Sequence, residues 1–187
     1  MSKDKITLDP TLVQGYKDAY RRMFGGIQLV LEKIAHASVA SIGCGTALDA
    51  EAQAYFVLEN MVKDGGLMNF TGIDIEASYI ETAKRVIRND YGKRVNYNFL
   101  AQDAANVDKV LRDGLDAVFV SHPDVRRDPW KEIIGAATKV HKKGGILVAT
   151  FAHGYELDEL IRAIEDGYKI LRTGHERSNI FLVAQRN

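Results

Sequence analysis

Between the last two apolar segments of the chain, residues 168–172 and 180–185, stand only Thr173-Gly174-His175-Glu176-Arg177 and two further residues. No helix fits in that gap. A parallel crossover needs about a dozen or more connecting residues, so these two segments must pair as an antiparallel hairpin. Everything from Ser38 up to that point follows another rhythm, in which short apolar runs alternate with amphipathic stretches of helical spacing. The runs at 39–42, 70–75, 95–100, 115–120 and 146–151 read as five parallel strands. Segments 49–63, 77–89, 107–111, 129–141 and 156–166 read as the helices between them. Glycines Gly65-Gly66 read as the stop of the first of these helices. Strands apolar on nearly every residue, 146–151 above all, belong in a sheet covered on both faces. Before Ser38, Asp9-Pro10 is a cap and first turn. Leu12, Tyr16 and Met23, then Ile27, Val30, Leu31 and Ile34, keep helical spacing. The expected fold is α/β, doubly wound, with a mainly parallel seven-stranded sheet, a C-terminal antiparallel hairpin and an N-terminal helical segment over 1–37. With 187 residues, 46% of them apolar, one domain is expected over 1–187, with its Rossmann-like core in 38–187.

In such a sheet ligands bind beyond the carboxyl ends of the strands, near the point where strand order reverses. Strand one runs into Gly43-Cys44-Gly45-Thr46-Ala47. Two glycines one residue apart allow a sharp turn and close approach of backbone to ligand, and the next helix aims its positive N-terminus there. A dinucleotide fingerprint would place a third glycine at position 48, which is Leu48. Strand two ends with Asp74, whose carboxylate suits both hydroxyls of a ribose and equally suits capping of the next helix. Ile75 beside it offers an apolar surface to a flat base. Strand three ends in Gln102-Asp103-Ala104, where Asp103 suits an exocyclic amine or the shaping of a turn.

With these residues in view, the region from about 38 to 187 resembles the class I S-adenosylmethionine-dependent methyltransferases. Ser41-Ile42-Gly43-Cys44-Gly45-Thr46-Ala47 is similar to the family's first motif, Gly72-Ile73-Asp74-Ile75 to its ribose-binding acid, and Gln102-Asp103-Ala104 to its adenine-contacting segment. Lys142-Lys143-Gly144-Gly145 resembles its turn before strand five. The resemblance implies S-adenosyl-L-methionine as cofactor, bound by Gly43, Cys44, Gly45, Asp74, Ile75, Asp103, Ala104 and Ser121. Asp74 would take the ribose and Asp103 the adenine amino group, Ile75 and Ala104 would flank the ring, and Ser121 would lie nearest the transferred methyl. Two positions depart from the pattern: Ser41 stands where the family often has an acid, and Ala47 where it often has a third glycine.

Methyl transfer from a sulfonium needs positioning more than chemical assistance. On the acceptor side, strand four ends in Ser121-His122-Pro123-Asp124 and strand five in His153-Gly154-Tyr155, which makes His122, His153 and Tyr155 the catalytic candidates. A histidine is suited to general-base work near neutral pH. Two histidines without a third ligand at recognisable spacing do not make a metal site, so no metal is expected. Acids and bases balance, 25 against 25, which argues against a partner that binds through excess Lys and Arg, as nucleic acid does. No apolar stretch approaches the roughly 20 residues of a membrane span, and a lone cysteine, Cys44, fits a reducing compartment. A cytoplasmic enzyme acting on a small molecule is the leading expectation. Its alternatives are a noncatalytic S-adenosylmethionine-binding protein and an aminopropyl-type transferase using a related sulfonium nucleoside.

Overall fold

The computed structural model describes residues 9–25, 33–87, 91–111, 114–121, 130–151, 157–176 and 179–187. Helix α1 (Pro10–Phe24) starts as its sequence demands: Asp9 accepts a hydrogen bond from the Thr11 N–H at 2.8 Å, and Pro10 occupies the first helical position. After it come β1 (Ile34–Ile42), α2 (Ala50–Asn60), β2 (Val62–Asp74), α3 (Ala77–Val86) and β3 (Val95–Ala101). The second half contains α4 (Val107–Val110), β4 (Leu115–Ser121), α5 (Trp130–Val140), β5 (His141–Phe151), α6 (Leu157–Ile164), β6 (Tyr168–Glu176) and β7 (Asn179–Arg186).

The seven strands form one sheet in the order β3-β2-β1-β4-β5-β7-β6. Pairings among β1 to β5 are parallel, while β7 runs antiparallel to both β5 and β6. The expected doubly wound sheet with a closing hairpin is therefore present. Order reverses between β1 and β4, so their carboxyl ends frame the crevice. Apolar side chains cover both faces. Phe70, Phe119, Val148 and Val183 pack under α1 and α2 on one face, and Ile42, Val120, Leu147 and Leu182 pack under α5 and α6 on the other. All seven residues of β4 are buried, as a central strand between two layers requires.

Local expectations fail in four places. The helical segment expected over 1–37 ends too late: Ile34–Ala37 belong to β1, and the Ile34 N–H bonds to Met61 O at 2.9 Å. A short apolar run fits either period, and here the open edge of β2 decides. The other stripe positions, Ile27, Val30 and Leu31, lie outside the described residues. Gly65-Gly66 stop no helix, because α2 ends at Asn60 and both glycines lie inside β2. Pairing with β1 jumps from Ile34↔Val62 to His36↔Leu67, so the glycines carry a bulge. Gly65 has φ +76°, and a Cβ on Gly66 would lie 2.7 Å from Ala35 O. Likewise β5 begins at His141, and its pairing with β4 jumps from Leu115↔His141 to Ala117↔Ile146 around Gly144 at φ +77°. The hairpin strands also run longer than expected, into the segment read as their connection.

The start of β5 carries a buried polar pair. His141 is 2% exposed, and its Nδ1 lies 3.0 Å from the Tyr168 hydroxyl on β6. Arg186 of β7 donates to the carbonyls of His141 and Thr138. Burial, then the nearby Arg186 charge, pulls the imidazole pKa down to about 4. Burial pushes the Tyr168 phenol up to about 12. Both groups are thus neutral at pH 7. Among the described residues no helix is long and apolar enough to cross a membrane.

Candidate functional site

The turn after β1 is anchored to the end of β2, since the amides of Gly43 and Cys44 both donate to Ile73 O, at 2.8 and 3.0 Å. Three of its residues are left-handed: Gly43 at φ +73°, Gly45 at φ +52° and Ala47 at φ +66°. The two glycines take this conformation for different reasons. A Cβ on Gly43 would sit 2.5 Å from Ser121 O at the end of β4, whereas a Cβ on Gly45 would meet nothing within 4 Å. Gly43 therefore lets two strand ends close together, and Gly45 presents bare backbone to open space. Ala47 is fully buried. Burying its methyl, worth about 0.8 kcal/mol, offsets part of the roughly 1–2 kcal/mol that a left-handed alanine costs. That is how the turn keeps its shape without a third glycine.

Asp74 ties the loops together. Its Oδ2 accepts from the Gly45 N–H at 2.8 Å, its Oδ1 accepts from the Glu76 N–H at 3.0 Å, and its carbonyl accepts from the Gln102 N–H at 2.8 Å. Helix α3 is capped at Glu76, not by Asp74. Each carboxylate oxygen retains a lone pair for a ligand hydroxyl. Ile75 next to it is 68% exposed, which leaves its face available to a flat ring. Across the loops, Asp103 caps a single 3-10 turn (Ala104–Asn106), its Oδ1 accepting from the Ala105 N–H at 2.9 Å and its Oδ2 from the Asn106 amide at 3.3 Å. Its turn-shaping role is thus filled, with lone pairs to spare. Ala104 is half-buried beside it.

Ser121 ends β4 as expected, but its hydroxyl is buried and accepts from Gln53 Nε2 at 3.2 Å. Gln53 Nε2 also donates to the Tyr20 hydroxyl at 2.8 Å, so one amide joins α1, α2 and β4 beneath the turn. Gln53 is entirely buried, and its Oε1 has no hydrogen-bond partner among the described residues. Leaving such an acceptor unmet costs about 1–3 kcal/mol. Burial, then the charge of Asp49, holds the Tyr20 phenol well above its ordinary range. Sequence reasoning missed Gln53; the available signal was a glutamine within the alanine-rich run Ala50-Glu51-Ala52-Gln53-Ala54. Trp130 belongs to the core, edge-on to Phe151. His122, His153 and Tyr155 lie outside the described residues. No cluster of three metal-ligating side chains occurs among the described residues.

Cys44 is 5% exposed, and Gly72 leaves space for its sulfur. Burial, reinforced by the charges of Asp74 and Asp49, pushes the thiol up to about 12. At about pH 8 the thiolate fraction is then on the order of 10⁻⁴. A chromogenic disulfide reagent is expected to leave the native protein unlabelled and to titrate one thiol after unfolding in urea. Rapid native-state labelling would contradict this.

The chain matches the family model described as a methyltransferase domain over residues 35–182. No curated protein matches it. Among solved structures it is similar to magnesium protoporphyrin IX methyltransferase from Synechocystis PCC 6803 with bound SAM, at 19% identity and TM-score 0.64 over 93% of this chain and 79% of that one. A SAM-dependent methyltransferase from Aquifex aeolicus is similar at 16% identity and TM-score 0.63, over 96% and 99%. A fibrillarin/Nop5p complex also matches, at 17% identity and TM-score 0.66, over 91% and 81%. At these identities the likeness is one of fold. The family match runs from the second residue of β1 into β7 and encloses all the loops just described, so the chain belongs to the methyltransferase domain family and is a class I S-adenosylmethionine-dependent methyltransferase.

Proposed function

We propose that this enzyme methylates a small-molecule acceptor, with the donor lying along the carboxyl ends of β1, β2 and β3. The observation that carries the donor side is the Asp74 carboxylate, which joins the bare Gly45 backbone to the rim where Ile75 stands exposed. In this reading Gly43, Cys44 and Gly45 border the methionine portion, Asp74 accepts from the ribose hydroxyls, and Ile75 and Ala104 flank the adenine. Asp103 accepts from the amino group of the ring. When bound, S-adenosylmethionine supplies a methyl carbon activated by its sulfonium sulfur. The protein's task is to hold an acceptor in line with that carbon and exclude water. If a general base is used, His122 takes the acceptor's proton at a ring nitrogen, His153 is the alternative base, and Tyr155 is a further catalytic candidate.

Two observations support a small acceptor. Connections between the strands leave no room for an added substrate-gripping domain, and net charge is zero, which leaves no Lys/Arg excess to hold a phosphate backbone. The similar Synechocystis enzyme is named for a porphyrin.

Calorimetry and melting tests address the donor site directly. S-adenosylhomocysteine is expected to bind and raise the melting temperature, and NAD is expected to do neither. Asp74→Ala should weaken S-adenosylhomocysteine by about 1.5–3 kcal/mol, the loss of bonds to a charged group, on the order of 10- to 150-fold. Unchanged affinity with lowered stability would reduce Asp74 to a tie between loops. Methyl transfer to RNA, with none to a panel of small acceptors, would overturn the acceptor class.

A further inference from the structure

Between α1 and α2 lies a groove of about 180 Å³, and none of the residues placed against the donor lines it. Its floor is apolar, made by Phe56 and the ring of Tyr20. Lys17 and Arg21 stand on its α1 wall, four residues apart and so on one face of the helix. Both lean over the same ring from α2: Lys17 Nζ lies 4.9 Å and the Arg21 guanidinium carbon 5.2 Å from the centre of Tyr55. Lys17 Nζ is also 5.6 Å from the centre of the Tyr91 ring. Two cations drawn to one ring repel each other, and the aromatic faces offset only part of that repulsion. Arg21 bonds Asp18 at 2.9 Å, whereas Lys17 meets no carboxylate among the described residues. Arg21 Nη2 donates to the Tyr55 hydroxyl at 2.9 Å, which leaves the hydroxyl proton to donate elsewhere. An ammonium, a guanidinium and a phenol thus converge on one small space.

We propose that this groove is a second ligand site, which takes a compact organic monoanion. Its carboxylate is held by Lys17, Arg21 and the Tyr55 hydroxyl, and its apolar body lies against Phe56 and Tyr20. Size limits the ligand first. Pockets for drug-sized molecules begin at about 300 Å³, so a nucleotide is too large for this one. Charge limits it next. Glu59 lines the same groove and has no ion-pair partner among the described residues. Its carboxylate opposes a second negative charge on the ligand, which disfavours phosphate relative to a carboxylate. A ligand bonded to Lys17 and to Tyr55 at once also ties α1 to α2.

Calorimetry at neutral pH with benzoate, benzamide and inorganic phosphate tests this. Benzoate is expected to bind with a Kd near or below about 1 mM. Benzamide keeps the ring and the shape but carries no charge, and should bind about tenfold more weakly, as for the loss of bonds between charged groups. Phosphate, mostly a dianion, should also bind more weakly than benzoate, and Glu59→Gln should narrow that difference. Lys17→Met keeps an unbranched stem and should weaken benzoate by about tenfold; Tyr55→Phe keeps the ring and should weaken it by about threefold. Saturating S-adenosylhomocysteine should leave benzoate affinity within about twofold. No binding of benzoate at about 20 mM overturns the assignment. So do equal affinities for benzoate and benzamide, phosphate binding more tightly than benzoate, or native affinity in Lys17→Met. Displacement of benzoate by S-adenosylhomocysteine overturns it as well, by moving the anion to the donor crevice. The benzoate and benzamide comparison uses the native protein, so it decides even if a variant does not fold.

Discussion

Replacing Gly43 by alanine is expected to remove cofactor binding and to cost the fold about 2–5 kcal/mol. The left-handed backbone at φ +73° contributes about 1–2 kcal/mol for a residue with a Cβ, and overpacking against a neighbour that cannot yield adds about 1–3 kcal/mol. The neighbour is the carbonyl of Ser121, 2.5 Å from the added atom and itself part of β4. Relief would have to come from moving one strand end off the other, which opens the crevice. Gly45→Ala is the informative control. Its backbone is also left-handed, but the new methyl meets nothing, so stability should fall only by the conformational cost of about 1–2 kcal/mol. Affinity for S-adenosylhomocysteine should still drop if the donor lies where it is proposed, because the methyl would take space between the Gly45 backbone and that ligand. Urea denaturation and calorimetry on the two variants decide the matter. Equal stability losses, or wild-type affinity in Gly45→Ala, would contradict this division of labour.

Acid is expected to weaken the fold through His141. In the native state its pKa is about 4, and in an unfolded chain about 6.5. Between these values the unfolded chain takes up a proton that the native protein refuses. Stability is therefore undiminished above pH 6.5 and falls as the pH drops toward 4, at up to about 1.4 kcal/mol per pH unit. The total is about 3 kcal/mol, and below pH 4 this group adds nothing more. Carboxylates contribute their own acid dependence, but equally in the native protein and in His141→Gln. Glutamine retains a partner for the Tyr168 hydroxyl and cannot titrate. Unfolding free energies measured from neutral pH down to about 4 should thus fall less steeply in His141→Gln. Parallel slopes would mean that the imidazole is protonated in the folded protein or exposed to water.

How much of this was legible beforehand depended on whether the physics was local. The glycine turn and the acids ending β2 and β3 stand at strand ends, where alternation breaks off and polar residues appear, so Gly43, Gly45, Asp74 and Asp103 could be read directly. The hairpin followed from loop length alone. Gly65-Gly66 and Gly144-Gly145 were legible as breaks, but not as bulges, because what they accommodate is a register with a strand distant in sequence. Gln53 was invisible for a related reason. A glutamine within a helix normally faces water, and only the approach of Tyr20 and Ser121, from 33 residues before and 68 after it, makes burial tolerable. Asp74 could be read as a ligand group or a cap. Its bond to Gly45 belongs to neither role and depends on two loops meeting across the sheet.

The position of β7 has a consequence for the order in which the molecule can be assembled. It is the last strand in chain order, yet it lies between β5 and β6. During synthesis β6 emerges with no partner to dock on. Until β7 follows, the apolar run Ile146–Phe151 of β5 presents an open edge, the kind of surface that recruits other chains. Residues Ile180, Phe181, Leu182, Val183 and Ala184, buried in the finished sheet, therefore act as a plug as well as a strand. Their insertion pairs β7 with both β5 and β6, which makes the edge beyond β5 the point at which chaperone protection, or its absence, would decide the yield of native enzyme.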